Sequence, residues 1–258
     1  MTEQSTNHAP MIAIVTGGSR GLGRSTVLAL AERGVSSIFT YRAARDEAEA
    51  TVAAVEAKGA RAVALPLDTG DTSSFPAFVA RVREALASLG SDRFDILVNN
   101  AGTAHHRPIA ETTEAEFDAL YGVHLKGVFF LTQALLPLLR DGGRIINISS
   151  GLTRFSYAGS ASYAAMKGAI EVLTRYLAVE LGARGITANT VAPGAIETDF
   201  SGGMVRDNPE VNRMVASATA LGRVGLPEDI GPMIAVLTSD ANRWVNGQRI
   251  EVSGGMQL

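Results

Sequence analysis

The chain of 258 residues has no cysteine, a single tryptophan and a formal net charge of only −3. The missing cysteine excludes disulfides, thiolate metal sites and cysteine nucleophiles. The near-balanced charge offers no general attraction to nucleic acid or to anionic lipid, so neither is an expected partner and any basic function is local. No apolar run approaches the length of a membrane span. The first ten residues, M-T-E-Q-S-T-N-H-A-P, have neither the apolar stretch of a signal peptide nor an arginine-rich transit pattern, and predict a frayed tail over residues 1–10 of a cytoplasmic protein. Lysine is scarce as well, confined to Lys58, Lys126 and Lys167. What the chain has in quantity is apolar side chains, 46% of the total, ample for the core of one large α/β domain over residues 11–258.

From Met11 onward short apolar runs alternate with longer helical patterns. M-I-A-I-V-T, S-I-F-T-Y, A-V-A-L-P-L, F-D-I-L-V-N, R-I-I-N-I-S and I-T-A-N-T-V-A read as strands, and a last strand is expected at Arg249 to Val252. Between them lie helical patterns, among them a long one from Glu114 to Leu139 and another from Ser162 to Leu181. This is the rhythm of βαβ units. It predicts an α/β fold: a Rossmann-type, doubly wound parallel sheet of about seven strands, helices on both faces, with ligands bound at the carboxyl ends of the strands. No linker or repeat interrupts it. After Pro193 the rhythm breaks into a glycine-containing stretch, about residues 195–218, which reads as a substrate loop or lid.

In S-A-S-Y-A-A-M-K-G, Tyr163 and Lys167 are four residues apart and stack on one helix face. Five tyrosines and three lysines would give roughly 0.06 such pairs by chance. A nearby ammonium favours the phenolate and brings a tyrosine towards acid–base work, so the pair points to proton transfer at an oxygen.

The first strand runs into T-G-G-S-R-G-L-G, which puts Gly17, Ser19, Arg20, Gly21, Leu22 and Gly23 at the turn into the first helix. Glycines there admit a ligand close to the backbone, and the helix start offers unpaired N–H groups to a pyrophosphate. At the end of the second strand, F-T-Y-R-A-A-R has Tyr41 where an acidic residue would bind a ribose 2′-hydroxyl, with Arg42 beside it. Two guanidiniums, Arg20 and Arg42, suit a 2′-phosphate, so NADP(H) is favoured over NAD(H). Asp68 and Thr69 follow the third strand, and Asn100, Ala101 and Gly102 the fourth, along the edge where a dinucleotide would pass. His105 and His106 adjoin them without a third ligand in register, so no metal site is expected.

T-G-G-S-R-G-L-G, N-N-A-G, I-N-I-S-S, Y-A-A-M-K and V-A-P-G-A-I-E-T together, in this order, resemble the short-chain dehydrogenase/reductase family over almost the whole chain, and within it the 3-oxoacyl-acyl-carrier-protein reductase subgroup. The resemblance implies that Ser150, thirteen residues before the tyrosine, polarises the substrate oxygen, that Tyr163 donates or removes its proton, and that Lys167 lowers the tyrosine pKa and holds the nicotinamide ribose. It also implies that Pro193, Gly194, Ile196 and Thr198 flank the nicotinamide. Tyr157 has no lysine four residues on and reads as a pocket or loop residue. One departure stands out: Y-G-V-H-L-K-G carries His124 where the family has an asparagine that holds a water behind the lysine, which makes His124 a candidate in the proton relay.

The resulting expectation is an NADPH-dependent carbonyl reductase taking a small-molecule ketone or, in reverse, an alcohol. The alternatives are an alcohol, sugar or steroid dehydrogenase of the same family and a non-catalytic dinucleotide sensor. The resemblance further implies a homotetramer, or a homodimer, formed through the two longest helices and the C-terminal segment.

Overall fold

The computed structural model describes residues 11–258; the expected tail, residues 1–10, lies outside the described residues. The first half alternates β1 (Ile12–Val15), α1 (Gly21–Ala31), β2 (Ser36–Tyr41), α2 (Arg45–Glu56), β3 (Ala62–Pro66), α3 (Phe75–Ser88) and β4 (Phe94–Asn99). It continues through α4 (Glu114–Tyr121), α5 (Gly127–Leu135), β5 (Leu139–Ile148), α6 (Ala161–Glu180) and β6 (Thr187–Pro193). Three further helices, α7 (Met204–Asp207), α8 (Pro209–Ser217) and α9 (Pro227–Leu237), precede β7 (Arg249–Val252). All seven strands are parallel, in the order β3-β2-β1-β4-β5-β6-β7. The order reverses between β1 and β4, and the crevice at that switch point is where such sheets bind ligands.

Strand alternation divides the core in two. Ile12 and Ile14 point to one face with Leu97, Leu131, Leu135 and Ile145, whereas Ala13 and Val15 point to the other with Val27, Leu30, Ile230 and Ile234. Both faces are covered, which is why the strands read as nearly continuous apolar runs. Truncating Ile14, fully buried between β2 and β4, removes packing worth about 2–5 kcal/mol.

The long helix expected from Glu114 to Leu139 is four consecutive pieces that end at Leu138, and Leu139 already begins β5. It opens with a capping box in which the Thr113 hydroxyl accepts from the Glu116 N–H and the Glu116 carboxylate accepts from the Thr113 N–H. Residues Gly122–Lys126 then widen into a π turn, and Pro137 ends the regular helix in a single 3₁₀ turn. Gly127, which closes the π turn, lies so near the loop after β3 that a Cβ would sit 2.1 Å from the Thr69 carbonyl oxygen. By length and composition, Glu114–Leu138 is apolar enough to cross a membrane, with mean hydropathy 1.3, contrary to the expectation that no run approaches that length. Its Leu120, Leu131 and Leu135 are buried within the protein, so part of that apolarity serves the core.

Candidate active site

The carboxyl ends of β1, β2, β4, β5 and β6 border one cleft of about 620 Å³. Its deep wall comes from the turn into α1. Gly17 and Gly21 take φ of +67° and +53°, the left-handed region that glycine enters without strain. Gly23 does not line the cleft; it lies beneath Gly17, where a Cβ would meet the Gly17 carbonyl oxygen at 2.0 Å. Helix α1 begins with no side-chain cap and no acidic residue in its first turn, so its leading N–H groups remain available to an anion. A glycine cradle opening onto uncapped amides fits a pyrophosphate.

Ser19, Arg20, Gly21 and Leu22 line this wall, and Tyr41 and Arg42 continue it at the end of β2. Arg42 has no ion-pair partner among the described residues. Arg20 contacts Asp199 at 3.6 Å, but both side chains are largely exposed, and such a pair holds little. Asp68 and Thr69 border the next stretch, where the Asp68 carboxylate accepts from the Gly70 N–H at 2.9 Å. Asn100, Ala101 and Gly102 follow, yet the Asn100 side chain turns into the protein, donating to the Thr16 and Gly17 carbonyls at 2.8 and 3.1 Å. Thr16, missed in the sequence, accepts from the Asn100 and Ala101 N–H groups at 2.9 Å each and so clips β4 to the glycine turn. Pro193, Gly194, Ile196 and Thr198 close the far side.

Ser150, Tyr163 and Lys167 meet on the inner wall. Ser150 starts a 3₁₀ turn after β5, accepts from the Leu152 N–H at 3.2 Å, and hydrogen-bonds the Tyr163 hydroxyl. Tyr163 and Lys167 project from the same face of α6, and both are buried. The lysine Nζ lies 5.6 Å from the phenol ring centroid and donates to the Ile148 carbonyl at 2.7 Å. Its other two protons are free to hold a ligand hydroxyl. Burial brings the Lys167 pKa down to about 7. Burial pushes the Tyr163 hydroxyl above its ordinary range, and the Ser150 hydroxyl only partly offsets it. The phenol is therefore a held proton facing a cleft, backed by a cation-forming amine.

His124 sits in the π turn with its ring edge-on to Tyr163, centroids 5.2 Å apart. Its Nε2 faces both the Thr103 carbonyl oxygen at 2.6 Å and the Thr103 N–H at 3.2 Å; the carbonyl can only accept and is the nearer, so the proton is assigned to Nε2. Nδ1 is then an acceptor, buried and without a partner. Burial, reinforced by Lys167, brings the His124 pKa down to about 3 and keeps the ring neutral. His105 and His106 border the cleft without converging: His106 Nδ1 pairs with the Ser160 hydroxyl at 3.3 Å. Among the described residues, no three His, Asp or Glu side chains gather at metal-ligand spacing.

A supporting network escaped the sequence altogether. Glu171 Oε1 accepts from Ser149 Oγ and Thr153 Oγ1 at 2.7 Å each and from Arg249 Nε at 2.8 Å. Arg249 also donates to the Ser150 carbonyl at 3.3 Å and to Glu251 at 3.0 Å. Arg154 grips Glu251 with two bonds of 2.8 Å and donates to the carbonyls of Met256 and Gln257. The network ties the Ser150 turn to α6, β7 and the C-terminal segment. Ser149 belongs to the I-N-I-S-S motif, but Glu171, Arg249 and Arg154 belong to none of the motifs, and folding brings Glu171 and Arg249 to it from far along the chain.

The family model described as enoyl-(acyl carrier protein) reductase matches residues 17–257. The 3-oxoacyl-[acyl-carrier-protein] reductase FabG of Staphylococcus aureus is 37% identical over 248 residues, covering 95% of this chain and 98% of that protein. Among solved structures, the promiscuous reductase LugOII, which catalyses keto-reduction at C1 during lugdunomycin biosynthesis, superposes with TM-score 0.91 at 37% identity, covering 96% of this chain and 98% of its own. A short-chain dehydrogenase from Burkholderia cenocepacia in complex with NADP gives TM-score 0.87 at 35% identity, covering 96% and 99%. The chain belongs to the short-chain dehydrogenase/reductase family, and it is an NAD(P)-dependent oxidoreductase of the class acting on C=O and CH–OH groups.

Proposed function

We propose that the protein is an NADPH-dependent carbonyl reductase. The observation that carries this reading is the gathering of Ser150, Tyr163 and Lys167 on the wall of one cleft, with the Lys167 Nζ 5.6 Å from the phenol ring centroid. Two neighbouring hydroxyls hold a carbonyl oxygen, Ser150 by donating a hydrogen bond and Tyr163 by surrendering its proton as negative charge develops there. Lys167, anchored on the Ile148 carbonyl, would hold the ribose hydroxyls with its remaining N–H groups and supply positive charge beside the phenolate. A nicotinamide held in this cleft would supply hydride for the carbonyl carbon, while Tyr163 gives its proton to the oxygen and an alcohol results. Thr16 and Asn100 shape the cradle, while Arg20 and Arg42 take the 2′-phosphate. The NADP named with the Burkholderia relative supports that choice.

The loop over about 195–218 is taken as the substrate lid: Ser201, Gly202 and Gly203 have consecutive φ of +53°, +70° and +76°, a hinge-like run between β6 and α8. The apolar faces of α4, α5 and α6, which leave Phe129 43%, Tyr176 63% and Val179 80% exposed, support a tetramer or dimer formed through these helices. Light scattering that finds only the 27.0 kDa monomer rejects that assembly.

The family model's description names reduction of a carbon–carbon double bond, and that is the rival reading. A cyclic enone offered with NADPH decides between them: an allylic alcohol as product supports carbonyl reduction, and a saturated ketone supports the rival. Parallel kcat/KM values with NADPH and NADH test the cofactor, and a preference for NADH sinks the arginine argument.

A further inference from the structure

The walls beyond Tyr163 differ from the polar cofactor side. Tyr157, Phe200, Met204, Met214 and Met256 face this outer half of the cleft. The Phe200 ring stands 6.0 Å from that of Tyr163, tilted by 57°, so an aromatic face flanks the reacting hydroxyl. The Tyr157 hydroxyl lies 4.0 Å from the Met214 sulfur. Tyr157, Phe200, Met204 and Met214 are 54%, 42%, 41% and 45% exposed, a concentration of open apolar surface that marks a ligand site. Methionine sulfur and aromatic rings favour contact with flat rings, and methionine adapts to their outline.

Three arginines near this mouth are paired with carboxylates, whereas Arg213, beside Met214, donates only to the Pro209 carbonyl. Arg154 is held by Glu251, Arg206 by Asp199 and Asp207, and Arg107 by Glu116. Asp199 is the one carboxylate lining the outer half among the described residues. Among the described residues the only arginines that line the cleft, Arg20 and Arg42, stand on the cofactor side, so a substrate phosphate or carboxylate would find no guanidinium on the walls of the outer half.

We infer that the substrate is a neutral, apolar ketone built on fused rings, rather than an acyl group delivered on a phosphate-bearing arm. This rests on the carbonyl-reductase reading above.

The test compares kcat/KM, with NADPH, for 2-tetralone, 2-octanone and acetoacetyl-coenzyme A. The expected result is a preference of at least about 10-fold for 2-tetralone over each of the others. Acetoacetyl-coenzyme A used as well as 2-tetralone overturns the charge argument, and 2-octanone used as well overturns the ring argument. Failure to reduce any of the three, with NADPH binding intact by fluorescence, overturns the carbonyl-reductase reading itself and this inference with it, and is thereby distinct from a wrong substrate class. Met204→Lys, with its fold checked by circular dichroism, places a cation at the mouth and is expected to shift the ratio towards acetoacetyl-coenzyme A by roughly 10-fold. An unchanged ratio overturns the charge argument.

Discussion

The cofactor side of the cleft rests on strand ends and the substrate side on loops. On the first, Gly17 and Gly23 pack against their neighbours, and Thr16 and Asn100 fasten the turn with four hydrogen bonds of 2.8–3.1 Å. On the second, Tyr157, Phe200 and Met214 project half-exposed from segments outside the sheet. The difference teaches where such a fold spends its precision: the shared dinucleotide needs a fixed cradle, and the variable ketone needs a wall that can be repacked. Tyr163, Lys167 and Ser150 lie on the seam, held from behind by the Glu171 and Arg249 network.

The seam gives the sharpest test. Tyr163→Phe removes the held proton but keeps the ring that packs on His124, so kcat is expected to fall by about 10³-fold or more while NADPH affinity changes little. Stopped-flow hydride transfer and cofactor fluorescence measure the two separately, and a variant retaining a tenth of the activity breaks the proposed role.

The next effect is on stability and depends on pH. His124 titrates at about 3 in the fold against 6.5 in the unfolded chain. As pH falls below the unfolded value, only the unfolded state takes up the proton, so stability is lost from pH 6.5 downward towards the folded pKa. By pH 4 the loss from this group is about 3 kcal/mol. Urea unfolding at pH 7 and pH 4 should show that loss in the wild type and not in His124→Asn, against a background of acid loss common to both. The same variant is expected to keep activity within about 10-fold, since asparagine also supplies a donor and an acceptor at this helix turn; a drop beyond ~100-fold, about 2.7 kcal/mol of barrier, would assign histidine-specific chemistry.

Contrasting substitutions in the two walls probe the comparison directly. Gly23→Ala drives a methyl into the Gly17 carbonyl and is expected to weaken NADPH binding about 100-fold and to cost about 1–3 kcal/mol of stability. Met214→Ala, on the soft wall, should change stability by no more than about 1 kcal/mol. Equal melting shifts for the two would erase the distinction. The smallest effect is at the edge of the cradle: Arg42→Ala should reduce kcat/KM for NADPH by roughly 10-fold and leave that for NADH unchanged, because only the 2′-phosphate loses a partner.

Much of this was legible in the chain before folding. The seven strands, their parallel order, the glycine turn after β1 and the Tyr163–Lys167 spacing are local patterns, set by alternation, helical periodicity and steric freedom within a few residues. Less legible were features in which distant segments meet. The π turn at Gly122–Lys126 has no propensity signal of its own; the glycines at 122 and 127 that flank it were its only trace. Asn100 lines the cleft as its place after a strand suggests, but that its NH2 group also fastens the glycine turn across the sheet left no trace in the sequence.

The amino-acid sequence by itself determined the family, the sheet and the reactive pair, because each is written in short-range spacing that any chain with these residues would express. Tertiary structure alone decided the charge states and the character of the pocket. Burial, which no local pattern records, keeps Tyr163 protonated, draws Lys167 to about 7 and holds His124 neutral. In the same way, folding pairs Arg107 with Glu116, Arg206 with Asp199 and Arg154 with Glu251, 9, 7 and 97 residues away, and leaves the outer walls of the cleft without a lining arginine among the described residues.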